Sequence, residues 1–138
     1  MLAEPGERKQ KMFEAIFDAR RAAIAAIGPG VKVSEIDRAA RGVLAERGFG
    51  KEFKHGLGHA VGFQAIDHNA PPRLHPASPD IIETGMVFNI EPAIYIENFG
   101  GIRHCDMVAV TEDGAEILTG FQTDYEELIV DSMTRNAP

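Results

Sequence analysis

The hydrophobic repeat of this chain changes period once, and that change restricts the fold more than any single motif does. Between Arg8 and Ile27 the apolar residues Phe13, Ile16, Phe17, Ala23, Ile24 and Ile27 recur mostly three, four or seven apart. That spacing gathers side chains on one stripe of a helix. Gly28-Pro29-Gly30 stops the helix, and Ser34 followed by Asp37 is a start signal for a second. The predicted inner face of the second helix is Ile36, Ala40, Val43 and Leu44, with Gly48 at its end. From Met86 the period becomes two: Met86, Phe88 and Ile90 alternate with Val87, Asn89 and Glu91 until Pro92 breaks or bulges the strand. After Gly100-Gly101 the run from Ile102 to Thr111 is strand-like again and places Arg103, Cys105 and Met107 on a common face. Glu112-Asp113-Gly114 reads as a turn, with a short return strand near Glu116 to Leu118. Two helices cannot bury their apolar stripes without something to lie on, and the β segments supply it. The expected fold is α+β, two helices packed on a small, largely antiparallel sheet.

The stretch from Asp67 to Gly85 holds Pro71, Pro72, Pro76 and Pro79 and reads as a long loop, which in a compact domain is usually functional or mobile. Residues 1–123 are expected to form one domain, and 124–138 an acidic, partly disordered tail. A globule of 138 residues removes about 68–70% of its unfolded surface from water, so a real core can form. With 21 acidic against 14 basic residues the net charge is -7, which disfavours nonspecific attachment to nucleic acid or to an anionic membrane. The basic residues Arg8, Lys9, Lys11, Arg20 and Arg21 fall on the first helix and read as its solvated face. The segment Met1 to Lys11 is charged and has no apolar stretch, so the expected compartment is the cytoplasm. The single cysteine, Cys105, cannot form an internal disulfide and must pack, ligate or react.

Chemically capable residues are densest in His55-Gly56-Leu57-Gly58-His59-Ala60-Val61-Gly62, with His68 shortly after. Imidazoles four apart can converge on a metal or an anionic intermediate, and the glycines at 56, 58 and 62 allow close backbone approach. Taken alone, histidines beside glycines are more often structural. The order of the later signals changes that balance: His59 is followed by Asn89-Ile90-Glu91-Pro92, then Gly100-Gly101-Ile102-Arg103, then Val108-Ala109-Val110-Thr111-Glu112-Asp113-Gly114. From about Gly6 to Gly120 the chain resembles the C-terminal half of the catalytic domain shared by Xaa-Pro dipeptidase (prolidase), aminopeptidase P, creatinase and, more distantly, methionine aminopeptidase.

The resemblance implies half of a pita-bread fold and, for the family reaction, metal-dependent hydrolysis of Xaa-Pro peptide bonds. In that family two divalent ions (manganese, cobalt or zinc) are held by two aspartates, one histidine and two glutamates, and activate the attacking water. Carried over, the ligand histidine is similar to His59 and the first ligand glutamate, also implicated as general base, to Glu91. His55 resembles the upstream histidine of the motif, and His68 the histidine that touches substrate, two residues later than usual. Arg103 matches the arginine two places before the last ligand glutamate. At that last position stands Cys105, a softer single-atom donor that cannot bridge two ions as a carboxylate does. The two aspartates have no counterpart, since Asp18 and Asp37 fall in helical patterns. The expected metal content is therefore none or one weakly bound ion.

Three functional readings stay open at this point. The chain is a fragment of a peptide-hydrolysing or metal-free, creatinase-like enzyme completed by an N-terminal half. Alternatively it is a noncatalytic binding or assembly module, with Cys105 a small buried residue. Or it is a mononuclear zinc protein using His59, Glu91 and Cys105. The resemblance implies a peptide substrate; because a half sheet leaves an unpaired strand edge, the expected protein partner is either a second copy in a homodimer or the complementing half.

Overall fold

Helix α1 (Glu7–Ala25) and helix α2 (Val33–Glu46) form where the apolar spacing predicts them and lie against each other. The computed structural model describes residues 6–62, 70–120 and 124–129. Helix α1 buries Met12, Phe13, Ala15, Ile16, Phe17, Ala19 and Ala23, and α2 buries Val33, Ile36, Ala40 and Leu44. Removing a side chain such as Ile36 or Leu44 fully from water contributes about 1.5–3 kcal/mol, and both are completely buried in a core shared with the strands. Val43 of the predicted inner face is only half-buried at its edge.

Two details of the helices depart from the sequence expectation. Helix α2 begins at Val33, with Lys32 rather than Ser34 at its cap. The reason lies elsewhere in the chain: the Val33 N–H donates to the Asp80 carbonyl (2.9 Å), and Ile82 N–H donates to Val31 O (2.9 Å). A distant loop thus accepts from the first amide of the helix and fixes its start one residue before Ser34. The second departure concerns Arg20, expected on a solvated face. Its side chain is 13% exposed and pairs with the buried carboxylate of Asp106.

The strands are β1 (Val87–Ile90), β2 (Ala93–Ile96), β3 (Gly100–Arg103), β4 (Asp106–Thr111) and β5 (Gly114–Ile117). They make two antiparallel sheets, one of order β1-β4-β5 and one of β2-β3. Pro92 ends β1 as expected, but the predicted continuous run from Ile102 to Thr111 is also divided, at His104-Cys105. The registers explain why: Ile90 faces Asp106 in one sheet, and Ala93 faces Arg103 in the other. Both strands therefore leave one sheet and enter the next at the same level, through Glu91-Pro92 on one side and His104-Cys105 on the other. The predicted alternation survives this break, for Arg103 and Cys105 are exposed while His104, Asp106, Val108 and Val110 are buried. Strand β5 starts two residues before the predicted return strand because Gly114 already pairs with Thr111. A 3₁₀ turn, Glu126–Leu128, follows, and Tyr125 before it tilts against Phe13 at 5.0 Å between ring centroids. Among the described residues no helix is long and apolar enough to cross a membrane.

Candidate active site

The histidine-bearing segment acts as an extra strand beside β1. Glu91 N–H donates to Leu57 O (2.6 Å), Asn89 N–H to His59 O (3.0 Å) and Val61 N–H to Val87 O (3.1 Å). Such close approach dictates glycine. A Cβ on Gly58 would stand 1.8 Å from the Asn89 carbonyl oxygen, and one on Gly56 2.5 Å from that of Leu74. From the other side Asp37, fully buried on α2, binds Arg41 through both carboxylate oxygens (2.8 and 3.0 Å) and accepts the Leu57 N–H (3.1 Å). Arg41 in turn donates to the carbonyls of Phe53 (3.0 Å) and His55 (2.9 Å). The segment is thus held between a helix and a strand, and its histidines have little freedom.

His59 is 5% exposed. Its Nδ1 lies 2.9 Å from the Ala60 carbonyl, which can only accept, so Nδ1 carries the proton and Nε2 presents its lone pair. That Nε2 sits 3.5 Å from Glu91 Oε1 and 3.3 Å from the Asn89 side-chain amide. His55 likewise donates from Nδ1 to the Gly56 carbonyl (2.7 Å) and accepts at Nε2 from the Tyr95 hydroxyl (3.3 Å). Arg103 NH1 approaches Glu91 Oε2 at 3.7 Å, and Cys105 Sγ donates to Glu91 Oε1 at 3.4 Å. Glu91 is therefore the centre on which His59, Arg103 and Cys105 converge.

An open cavity of about 440 Å³ holds His55, His59, Glu91 and Arg103 together. His68 lies outside the described residues. Arg73, His75 and Tyr95 also line the cavity, and sequence reasoning did not single them out. Arg73 and His75 belong to the proline-rich loop expected to be functional or mobile, so the signal was regional rather than residue by residue. In that loop Arg73 grips Asp80 at 2.6 and 2.9 Å.

Cys105 is exposed, which corrects the expectation of a small buried residue. The shielding of its sulfur side from water, and then the neighbouring Glu91 carboxylate, push the thiol up to about 11. At neutral pH it is a protonated donor to Glu91 rather than a thiolate. The donor set does not fit a pair of dications: Glu91 is the only acidic side chain lining the cavity among the described residues. Nor is any group of three His, Cys, Asp or Glu side chains among those residues arranged to hold a metal ion.

Two carboxylates give the structure a defined acid response. The Arg73 guanidinium, despite some opposing effect of burial, holds Asp80 well below the usual carboxylate range. Burial alone would raise Asp106, but hydrogen bonds from His104, Arg20 and Thr119 outweigh it and hold that group low as well. A carboxyl lowered in the folded state stabilises at pH above its unfolded value of about 3.9, and that stability is lost as pH falls through the folded value. Thermal melts should therefore change little in slope from these groups between about pH 7 and 5 and fall steeply below about pH 4. Asp80→Asn should start from a lower Tm and show a shallower acid decline; an unchanged acid slope would show that the Arg73 pair contributes nothing.

The sequence model of metallopeptidase family M24 matches residues 1–112. The chain is 35% identical over 119 residues to the uncharacterized peptidase MW1651 of Staphylococcus aureus, covering 86% of this chain and 33% of that protein. Among solved structures it is similar to the prolidase from Pyrococcus furiosus, with 37% identity and a TM-score of 0.82 over 87% of this chain and 35% of that one. It is also similar to dipeptidase PepE from Mycobacterium ulcerans, with 32% identity and a TM-score of 0.87 over 94% of this chain and 34% of that one. The chain thus spans about a third of the length of these relatives.

Proposed function

Because the chain belongs to metallopeptidase family M24 and shares half of the pita-bread fold of the prolidases, we propose that it forms one wall of an Xaa-Pro peptidase site and does not hydrolyse peptides alone. One observation carries this reading: the cavity is lined by three histidines and two arginines but, among the described residues, by a single carboxylate, Glu91. Two dications need several anionic oxygens around them, and one glutamate is too few. In this reading Glu91 accepts a proton from water, a role supported by the Arg103 guanidinium and the Cys105 S–H that approach its carboxylate. His55, steered by Tyr95, faces the same cavity with Nε2 as a proton acceptor, suited to meet an N–H of the peptide. The missing carboxylates come from a complementing N-terminal half, and the outer edges of β3 and β5, unpaired among the described residues, are available to it.

The contact between Cys105 and Glu91 favours a second reading, a noncatalytic module that keeps the fold and binds peptide or assembles as a homodimer. One set of measurements separates the two. Purified chain is incubated with manganese, cobalt or zinc and with Gly-Pro or Xaa-Pro-Xaa peptides, while bound metal and sedimentation equilibrium are recorded on the same samples. The expected result is less than one ion per chain and hydrolysis at the blank rate, with self-association at micromolar concentration. Activity that appears on adding a separately expressed N-terminal half supports the first reading; peptide binding with no activity under any complementation supports the second. Turnover by the chain alone with two ions bound would sink both.

A further inference from the structure

We propose that helix α1 clamps the β3–β4 corner from behind and so sets where Arg103 and Cys105 stand beside Glu91, with Arg20 and Asp106 as positioning residues. The corner is gripped at both residues that flank Cys105. Arg20 pairs with Asp106, and Phe17, three residues earlier on the same helix face, packs its ring on that of His104 at 4.8 Å and 56°. His104 Nε2 donates to Asp106 Oδ2 (3.1 Å), and Thr119 Oγ1, beyond β5, donates to Oδ1 (2.7 Å). One carboxylate, 1% exposed, thereby ties the first helix, the corner and the end of the second hairpin together. Its position is what connects it to the cavity: Asp106 faces Ile90 across β1 and β4, so it lies one residue from Cys105 and opposite the neighbour of Glu91. With residues 104 and 106 both held inward, the alternation of an extended chain turns Cys105 outward onto Glu91. A salt bridge between elements 86 residues apart is more than helix α1 needs to stay on the core, since its apolar face is already buried.

This inference rests on the reading of the cavity as a site, but its test does not use catalysis, so the two can fail separately. Cys105 is the single thiol of the chain, and its rate of alkylation by iodoacetamide at about pH 8 reports whether it is still seated on Glu91. The double variant Arg20→Gln with Asp106→Asn removes the ion pair and keeps the net charge of the chain; because the lost Asp106 carboxylate itself raises the thiol, rates are compared per thiolate from the pH–rate profile. It should react about five-fold faster than the parent, while Arg20→Lys, which keeps the pair, should react at the parental rate. Leu44→Ala, a core truncation in α2, is the control for general loosening and should leave the thiol rate unchanged although it lowers the Tm. A folded double variant reacting at the parental rate would overturn the proposal, and so would equal acceleration in Leu44→Ala. If the double variant does not fold, Thr119→Val decides: an increase of about two-fold supports the clamp and the parental rate refutes it.

Discussion

Gly58→Ala should destabilise the chain by about 3 kcal/mol or more, which for a domain of this size lowers the Tm by roughly 10 °C. The added methyl would sit 1.8 Å from the Asn89 carbonyl oxygen, a backbone atom that no rotamer change can move aside. Relief requires the histidine segment to draw away from β1. That movement would break the Asn89-to-His59 and Glu91-to-Leu57 hydrogen bonds that place His59 beside Glu91. Overpacking that side chains can absorb costs about 1–3 kcal/mol, so a backbone clash belongs at or beyond the top of that range. Urea unfolding followed by far-UV dichroism measures it, and a change below about 1 kcal/mol would mean that the segment does not lie against β1 as described. Gly62→Ala, where a Cβ meets nothing within 4 Å, is the matched comparison and should cost far less.

Asp37→Ala is expected to cost about 3–5 kcal/mol, the range for deleting one partner of a buried ion pair. The carboxylate is completely buried and serves three donors, two from Arg41 and the Leu57 amide. Its loss leaves a guanidinium facing a cavity and a buried N–H without its acceptor. Pairing it with Arg41→Met removes the stranded cation, and the double variant should be more stable than the sum of the single effects. Strict additivity in that thermodynamic cycle would show that Asp37 and Arg41 act independently, contrary to their bidentate geometry. Because Arg41 also holds the carbonyls of Phe53 and His55, the single variant should loosen the edge of the cavity as well as α2.

These two residues illustrate where sequence reading succeeds and where it stops. Periodicity located both helices and the strands because burial of one face repeats along the local chain, and Pro92 marked a real strand end. The same logic misassigned Arg20, since a basic residue on a helix looks solvated until its partner, 86 residues away, is known. Asp37 was passed over for the same reason. Local spacing identifies it as a helical residue but says nothing of the Leu57 amide folded against it. Ser34 had the chemistry of a cap, yet the helix starts a residue earlier, where the Asp80 backbone carbonyl accepts from Val33, a role open to any residue type and so without a sequence signature. In the cavity, His55, His59, Glu91 and Arg103 were legible as a set through family resemblance. Arg73 and His75 were not, because their presence depends on how a proline-rich loop folds back over the glycines, and Tyr95 of β2 was not, because its contact with His55 is made across 40 residues.

The chain passes between its two sheets at only two places among the described strands, Glu91-Pro92 and His104-Cys105. Glu91 and Cys105 lie in those same joints, and Arg103 stands beside one of them. Any slip of one sheet past the other is therefore converted without attenuation into a change in the gap between donors, much as wear in a hinge shows first at its pin. Mutational surveys should find substitutions that shift strand register as harmful to ligand affinity as changes to the histidines themselves. Neither hairpin, transplanted onto another scaffold by itself, would carry the arrangement with it.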